Sequence, residues 1–223
     1  MMIRRETLEF LRKLARNNNR AWFAKNRPLY EAARENVLDA TMYLIGEIAK
    51  FDESVQGVGP DECLYRIFKD TRFSRDKSPY KTNFGSFIKS GGRSIPGAGY
   101  YLHLSPGDSF VSGGIYMPPA QQLLAIRNSI ARNSRPLKKI LAARDFIKEF
   151  GSLDCEALKT APKGFPRDHP DIELLKFKHY FVYRELSDRE VLSRDFLKKC
   201  VHSFMILSPF VRYLNIIMAT PRR

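Results

Sequence analysis

Six cations crowd the segment RIFKDTRFSRDKSPYKTNF, which runs from Arg66 to Phe84: Arg66, Lys69, Arg72, Arg75, Lys77 and Lys81. A guanidinium grips phosphate or carboxylate with two parallel hydrogen bonds, and an ammonium adds a point charge. Phe73, Tyr80 and Phe84 are interleaved with these cations, and a ring beside a run of positive charge can stack a base. The chemistry on offer is anion capture: a phosphate, a nucleic-acid backbone or a carboxylate ligand. Asp70 and Asp76 support a blander reading, a loop fixed by its own ion pairs, with Arg66 or Arg72 holding one of them. Two carboxylates cannot neutralise six cations, so the balance favours binding. The expected ligand contacts are Arg66, Arg72, Lys77 and Lys81, with Tyr80 as a stacking or hydroxyl partner.

Other reactive side chains are scattered. RDHPD sets His169 between Asp168 and Asp171, a pairing that could serve general acid–base chemistry. The proline beside His169 argues instead for a rigid turn. His103 lies in the run YYLHL, where alternation turns it away from Leu102 and Leu104 and onto the side of Tyr101. With His179 and His202, these histidines show no metal-ligand spacing, so no metal site is expected and no cofactor is named. SGGRSIPGAGYY carries Gly91, Gly92, Gly97 and Gly99. No GK[ST] follows, and a strand stands where a dinucleotide fingerprint needs a helix. A strand connection is the simpler reading. No GxSxG elbow occurs. Tyr100–Tyr101 and Tyr180–Phe181 read as sheet core with hydroxyls at the rim.

The elements that must position these groups follow from periodicity. Leu8, Leu11 and Leu14 share one face of a helix over 6–16, which NNNR breaks while capping the next. A helical pattern then runs from Arg20 to Phe51, with Pro28 in a first turn or at a kink. Strands are expected at 63–69, 84–89, 100–104, 109–117 and 177–184, with a bulge at Gly113-Gly114. Pro118-Pro119 opens a helix. Ser134 caps another that starts near Pro136 and points Leu137, Ile140, Leu141, Phe146 and Ile147 inward. Pro162, Pro166 and Pro170 punctuate a long loop. Residues 188–207 are helical, and Ser208-Pro209 starts a separate short helix over 209–218. Helices before, between and after strands imply an α+β fold: a mostly antiparallel sheet covered by N-terminal, central and C-terminal helices. A single domain is expected over 1–223, with a helical part at 1–56, a sheet-containing core at 61–186 and C-terminal helices at 188–223.

Composition sets the outer limits. The 223 residues are 43% hydrophobic, 12% aromatic and 28% charged, which excludes a disordered tail, a collagen-like chain and a coiled-coil rod. A net charge of +14 points to an anionic partner, with nucleic acid among the candidates. The excess lies in 61–93, 118–150 and 188–223 rather than in one tail. Cys63, Cys155 and Cys200 are odd in number and far apart, as in a reduced intracellular protein. The N-terminus lacks the apolar run of a signal peptide. Pro209, Arg212 and Asn215 interrupt the apolar stretch at 204–219. A cytoplasmic protein with no membrane partner is expected. Oligomeric state is not legible.

Three separate motifs occur in order: DTRFSRDKSPYKTNF, GAGYYLHLSPGDSFVSGGIYMP and APKGFPRDHPDIELLKFKHYFVYREL. Together they resemble the family catalogued as domain of unknown function 2461, from NNNRAWF to PFVRYLN. The resemblance implies an intact single-family protein and supplies no catalytic residues. The residues themselves support an anion-binding protein whose ligand bears phosphate. A small-ligand enzyme with His169 or Asp76 aimed into a pocket, and a protein-interaction module, remain as alternatives.

Overall fold

A computed structural model describes residues 1–72, 76–153 and 155–219. Among these, the helices are α1 (Arg5–Arg16), α2 (Arg20–Lys25), α3 (Arg27–Ile48), α4 (Pro60–Cys63), α5 (Ala120–Arg132), α6 (Arg135–Leu141), α7 (Arg144–Phe150), α8 (Ile172–Lys176), α9 (Asp188–Val191) and α10 (Phe196–Ala219). The strands are β1 (Phe84–Ile88), β2 (Gly99–Leu104), β3 (Ser109–Ile115) and β4 (Tyr180–Leu186). They form one antiparallel sheet in the order β1-β2-β3-β4, so the fold is α+β.

The chain divides into two compact units. The first comprises 1–94, 101–111 and 185–202. Its core forms because α1 sets Leu8, Leu11 and Leu14 on one face, and α3 sets Val37, Ala40, Leu44 and Ile48 on another. Phe84 of β1 sits within 6.3 Å of both Phe10 and Tyr30. The hydroxyls of Thr41 on α3 and Ser86 on β1 hydrogen-bond at 3.0 Å, and Thr41 donates to the Val37 carbonyl at 2.8 Å, which satisfies both hydroxyls inside this core. Each fully buried large apolar side chain is worth about 1.5–3 kcal/mol relative to exposure.

The expected long helix over 20–51 is two helices. Asn19 caps the first, accepting from the Trp22 amide at 2.9 Å. Asn26 ends it, and Pro28 stands in the first turn of α3. Proline has no N–H to continue the ladder, and it disfavours helical backbone at the residue before it. The expected strand at 63–69 is also not one. Cys63 closes α4, and the next residues make only isolated bridges, Leu64 to Ser86 and Phe68 to Tyr80. Pro79 offers a carbonyl to Lys69 at 2.9 Å but has no N–H to return, so the ladder cannot run on.

The second unit comprises 95–100, 112–184 and 203–223, described to residue 219. Phe204 meets Tyr100 at 5.5 Å, and Phe146 meets Phe210 at 5.9 Å. Gly113 and Gly114 are required by close approach. A Cβ on Gly113 would lie 2.6 Å from Leu207, and one on Gly114 2.2 Å from the Tyr180 carbonyl. Gly114 also has φ +120°, which L side chains rarely adopt.

Two helix expectations are corrected here. The helix from Pro136 breaks at Ala142–Ala143, giving α6 and α7, and Ile147 is exposed rather than inward. Ser134 makes no side-chain cap; its hydroxyl bonds Asp171 instead. Pro209 does not start a helix but lies inside α10. An interior proline costs about 3 kcal/mol, and burial of Phe204, Leu207, Phe210, Val211 and Leu214 outweighs it. By length and composition α10 could cross a membrane, yet those same residues bury it as a core helix.

Candidate anion site on the first unit

The basic segment is a hairpin-like excursion stitched at its base. Lys81 N–H donates to the Ile67 carbonyl at 2.7 Å, and Lys69 N–H donates to Pro79. The pairing brings Arg66 beside Lys81, fifteen residues on, whose ammonium donates to the Arg66 carbonyl at 3.1 Å. The loop that follows β1 adds a third cation. Arg93 is held by its own N–H on the Glu62 carbonyl and by its guanidinium on the Asp61 carbonyl at 2.6 Å. Lys81 Nζ lies 5.5 Å from the centre of the Tyr65 ring, and Arg93 Cζ lies 5.9 Å from it. Tyr65 is 39% exposed.

Charge is concentrated there without compensation. Among the described residues no carboxylate pairs with Arg66, Lys77, Lys81 or Arg93. Burial, then the guanidinium groups of Arg66 and Arg93, hold the Lys81 ammonium below the usual lysine range. Its proton is therefore more easily lost than that of a free lysine, and a bound anion would restore it.

Other expected contacts are engaged within the segment. Arg72 grips Asp70 with two bonds, at 3.0 and 2.7 Å, and both side chains are exposed. That grip, followed by the Arg72 N–H, lowers the Asp70 carboxyl to about 2. Lys69 pairs with Asp76 at 2.5 Å. With two bonds from Ser78, it holds that carboxyl far below the usual range. Lys77 is exposed and donates to the Thr71 carbonyl at 3.0 Å. Phe73 and Arg75 lie outside the described residues. The Tyr80 ring is occupied inside the protein, 6% exposed and stacked on Phe23 at 4.0 Å. It anchors the segment rather than facing solvent. Phe84 is likewise core.

Sequence reading missed Tyr65 and Arg93 as partners of this segment, because α4 and the post-β1 loop bring them in from outside it. It also left unused a row of rings, Tyr65 after α4 and Phe87, Tyr101 and Phe110 on β1–β3. Tyr65, Phe87 and Phe110 lie 6.3, 6.4 and 5.7 Å from Tyr101. His103 stacks on Phe110 at 4.6 Å. Alternation did place Tyr101 and His103 on one side, opposite buried Leu102 and Leu104. The Tyr101 hydroxyl and His103 Nδ1 are 3.0 Å apart. Burial, reinforced by Tyr65, raises the Tyr101 phenol, while burial lowers His103 against the pull of Asp108. Both shifts keep the proton on the phenol, which donates to a neutral imidazole.

His169 and His179 are held in local structure. His169 Nδ1 accepts from the Asp171 N–H at 3.0 Å, and its Nε2 meets the Ala131 carbonyl at 3.2 Å. Both ring nitrogens are thus used in the turn. His179 Nδ1 accepts from the N–H of Met117 at 3.1 Å, and Met117 has φ 48°. The glycine-rich stretch is a strand connection in which Lys89, nearly buried, donates to the carbonyls of Ser90 and Gly92. Among the described residues no three His, Cys, Asp or Glu side chains are grouped to hold a metal ion.

A family model described as "Conserved hypothetical protein (DUF2461)" matches residues 6–213. No curated protein and no solved structure matches the chain.

Proposed function

The chain belongs to the DUF2461 family of conserved hypothetical proteins, and from the geometry of its first unit we propose that it binds an anionic, phosphate-bearing ligand on the ridge of Arg66, Lys81 and Arg93, with Arg72 and Lys77 as outer contacts. The observation that carries this reading is the convergence of Lys81 and Arg93 on the exposed Tyr65 ring, beside Arg66, with no carboxylate among the described residues to pair with them. Uncompensated cations held together repel one another, and an anion relieves that repulsion. Tyr80 supports the site by fixing the returning arm of the segment through Phe23. Three buried cysteines, Cys63, Cys155 and Cys200, none of them in a disulfide, support a reducing, cytoplasmic setting with no membrane partner.

The test is fluorescence anisotropy with a labelled oligonucleotide across a salt series. Wild-type binding is expected to weaken steeply with salt. The Arg66→Ala, Lys81→Ala double variant should flatten the log–log slope by roughly 1.4, as loss of two single-strand phosphate contacts requires. No binding at low salt, or an unchanged slope in the variant, overturns the proposal.

A further inference from the structure

Resting on that reading, we infer that the ligand is a single-stranded nucleic acid whose bases stack along the ring row of Tyr65, Phe87, Tyr101 and Phe110. Four observations carry this. The rings are contiguous, each within 6.4 Å of Tyr101. All keep solvent exposure: Tyr65 is exposed, and Phe87, Tyr101 and Phe110 are half-buried. Phe87, Tyr101 and Phe110 stand on the adjacent strands β1, β2 and β3, a rigid support, and Tyr65, just after α4, is tied to β1 by its N–H on the Gly85 carbonyl at 2.9 Å. The cations lie at one end of the row, with Lys81 and Arg93 directly beside Tyr65. Phosphates would meet the ridge while the attached bases lie over the rings, the division of labour by which non-specific single-strand binders work. A simple phosphate or nucleotide would use the ridge and leave most of the row idle. A duplex offers its phosphates but keeps its base faces stacked within itself, so it could not engage the rings.

The Tyr101–His103 bond has a part in this. It ties the phenol down, and the phenol oxygen lies over Gly85, where a Cβ would come within 2.4 Å of it. The ring is therefore held low across the neighbouring strand instead of standing free. A ring fixed before binding loses less rotational freedom when a base stacks on it.

The experiment compares three labelled probes of equal length: a single-stranded oligopyrimidine, an abasic oligomer with the same phosphate count, and a duplex. Wild type should bind the oligopyrimidine at least about tenfold more tightly than the abasic chain, the size expected for even one stacked base. Phe87→Leu, which keeps an apolar side chain at this half-buried position of β1, should remove about tenfold from oligopyrimidine binding and leave abasic binding unchanged. A 5-iodouracil oligomer should photocrosslink to peptides carrying Tyr65, Phe87 or Phe110. Equal affinity for based and abasic chains, equal affinity for the duplex, or no effect of Phe87→Leu overturns the inference while leaving the anion site standing. Loss of all binding sensitivity to Arg66→Ala, Lys81→Ala removes the anion site, and with it the inference.

Discussion

The carboxamide of Asn18 clasps the backbone of Tyr80 from both sides: its Nδ2 donates to the Tyr80 carbonyl at 2.9 Å and its Oδ1 accepts from the Tyr80 N–H at 3.1 Å. A side chain here stands in for a partner strand. In the second unit Asn215 treats Ala98 the same way, at 3.1 and 2.9 Å. Asn18→Ala should cost about 1–2 kcal/mol, because both Tyr80 backbone groups lose their partner. Asn18→Asp keeps the acceptor, loses the donor and should fall between the two. Urea denaturation of the three proteins measures this; equal midpoints for wild type and Asn18→Ala would show that water replaces the clasp without cost.

Gly85 allows Tyr101 to lie flat over β1. Gly85→Ala should destabilise by about 1–3 kcal/mol, the usual cost of overpacking. Tyr101→Phe removes the atom nearest the new methyl, though ring carbons remain at 3.0 Å. The double variant Gly85→Ala, Tyr101→Phe should therefore be more stable than the sum of the single changes indicates. Strict additivity would mean that the two residues do not touch in solution.

Asp70 masks Arg72, and Asp76 masks Lys69. Both carboxylates are exposed, so their removal should change stability little. It should, however, release cations to the ligand. Asp70→Asn is expected to tighten oligonucleotide binding severalfold at low salt and steepen its salt dependence. The expected gain also has a pH form. Asp70 titrates at about 2, below its ordinary value, so whatever the Arg72 pair contributes is present above the ordinary carboxyl range and is lost only as pH falls toward 2. Weaker binding by Asp70→Asn would place Asp70 among the groups that orient Arg72 for the ligand.

Cys63 is fully buried, and burial, followed by Glu62, pushes its thiol up to about 11. A folded-state value above the unfolded one adds stability that is intact below pH 9 and is lost as pH rises to 11. Two units correspond to about 2.7 kcal/mol in full, of which a little over 2 kcal/mol is lost by pH 11. Thermal melts from pH 8 to 11 should show wild type losing that much more than Cys63→Ala. The window from 9 to 10 is the clean one, since tyrosines begin to titrate above it. Parallel curves for the two proteins would mean that the thiolate is tolerated inside the fold.

Most of the fold was legible because its signals are local. The spacing of Leu8, Leu11 and Leu14 sufficed for α1, and short runs rich in aromatic and branched apolar residues sufficed for β1, β2 and β4. Pro209 misled because its local preference for a helix start was overridden by burial of Phe204, Leu207 and Phe210, a tertiary term that no window sees. The segment at 63–69 misled in the opposite way: it alternates like a strand, but Pro79 opposite it cannot complete the ladder. The site was half legible. Cation density singled out Arg66 and Lys81, which the folded chain brings together. Nothing in sequence joins Tyr65 to Arg93 or to Tyr101, because that contact exists only once β1 and β2 pair. Tyr80 looked like a free ring because its partner, Phe23, lies far away along the chain.

The sheet order has a consequence for the newborn chain. β3 ends at Ile115 and its outer neighbour β4 begins at Tyr180. On a ribosome moving at roughly 5–20 residues per second, that edge waits roughly 3–13 seconds for its cover. Throughout the wait its N–H and C=O groups are an open template, the kind that recruits the edge of another chain. Gly113 and Gly114 lie on that edge, and glycines, costly to order and with no side chain to pack, make it a poor template for a stranger. The same two glycines that admit Leu207 and the Tyr180 carbonyl in the finished protein thus also guard the unfinished one against aggregation during synthesis.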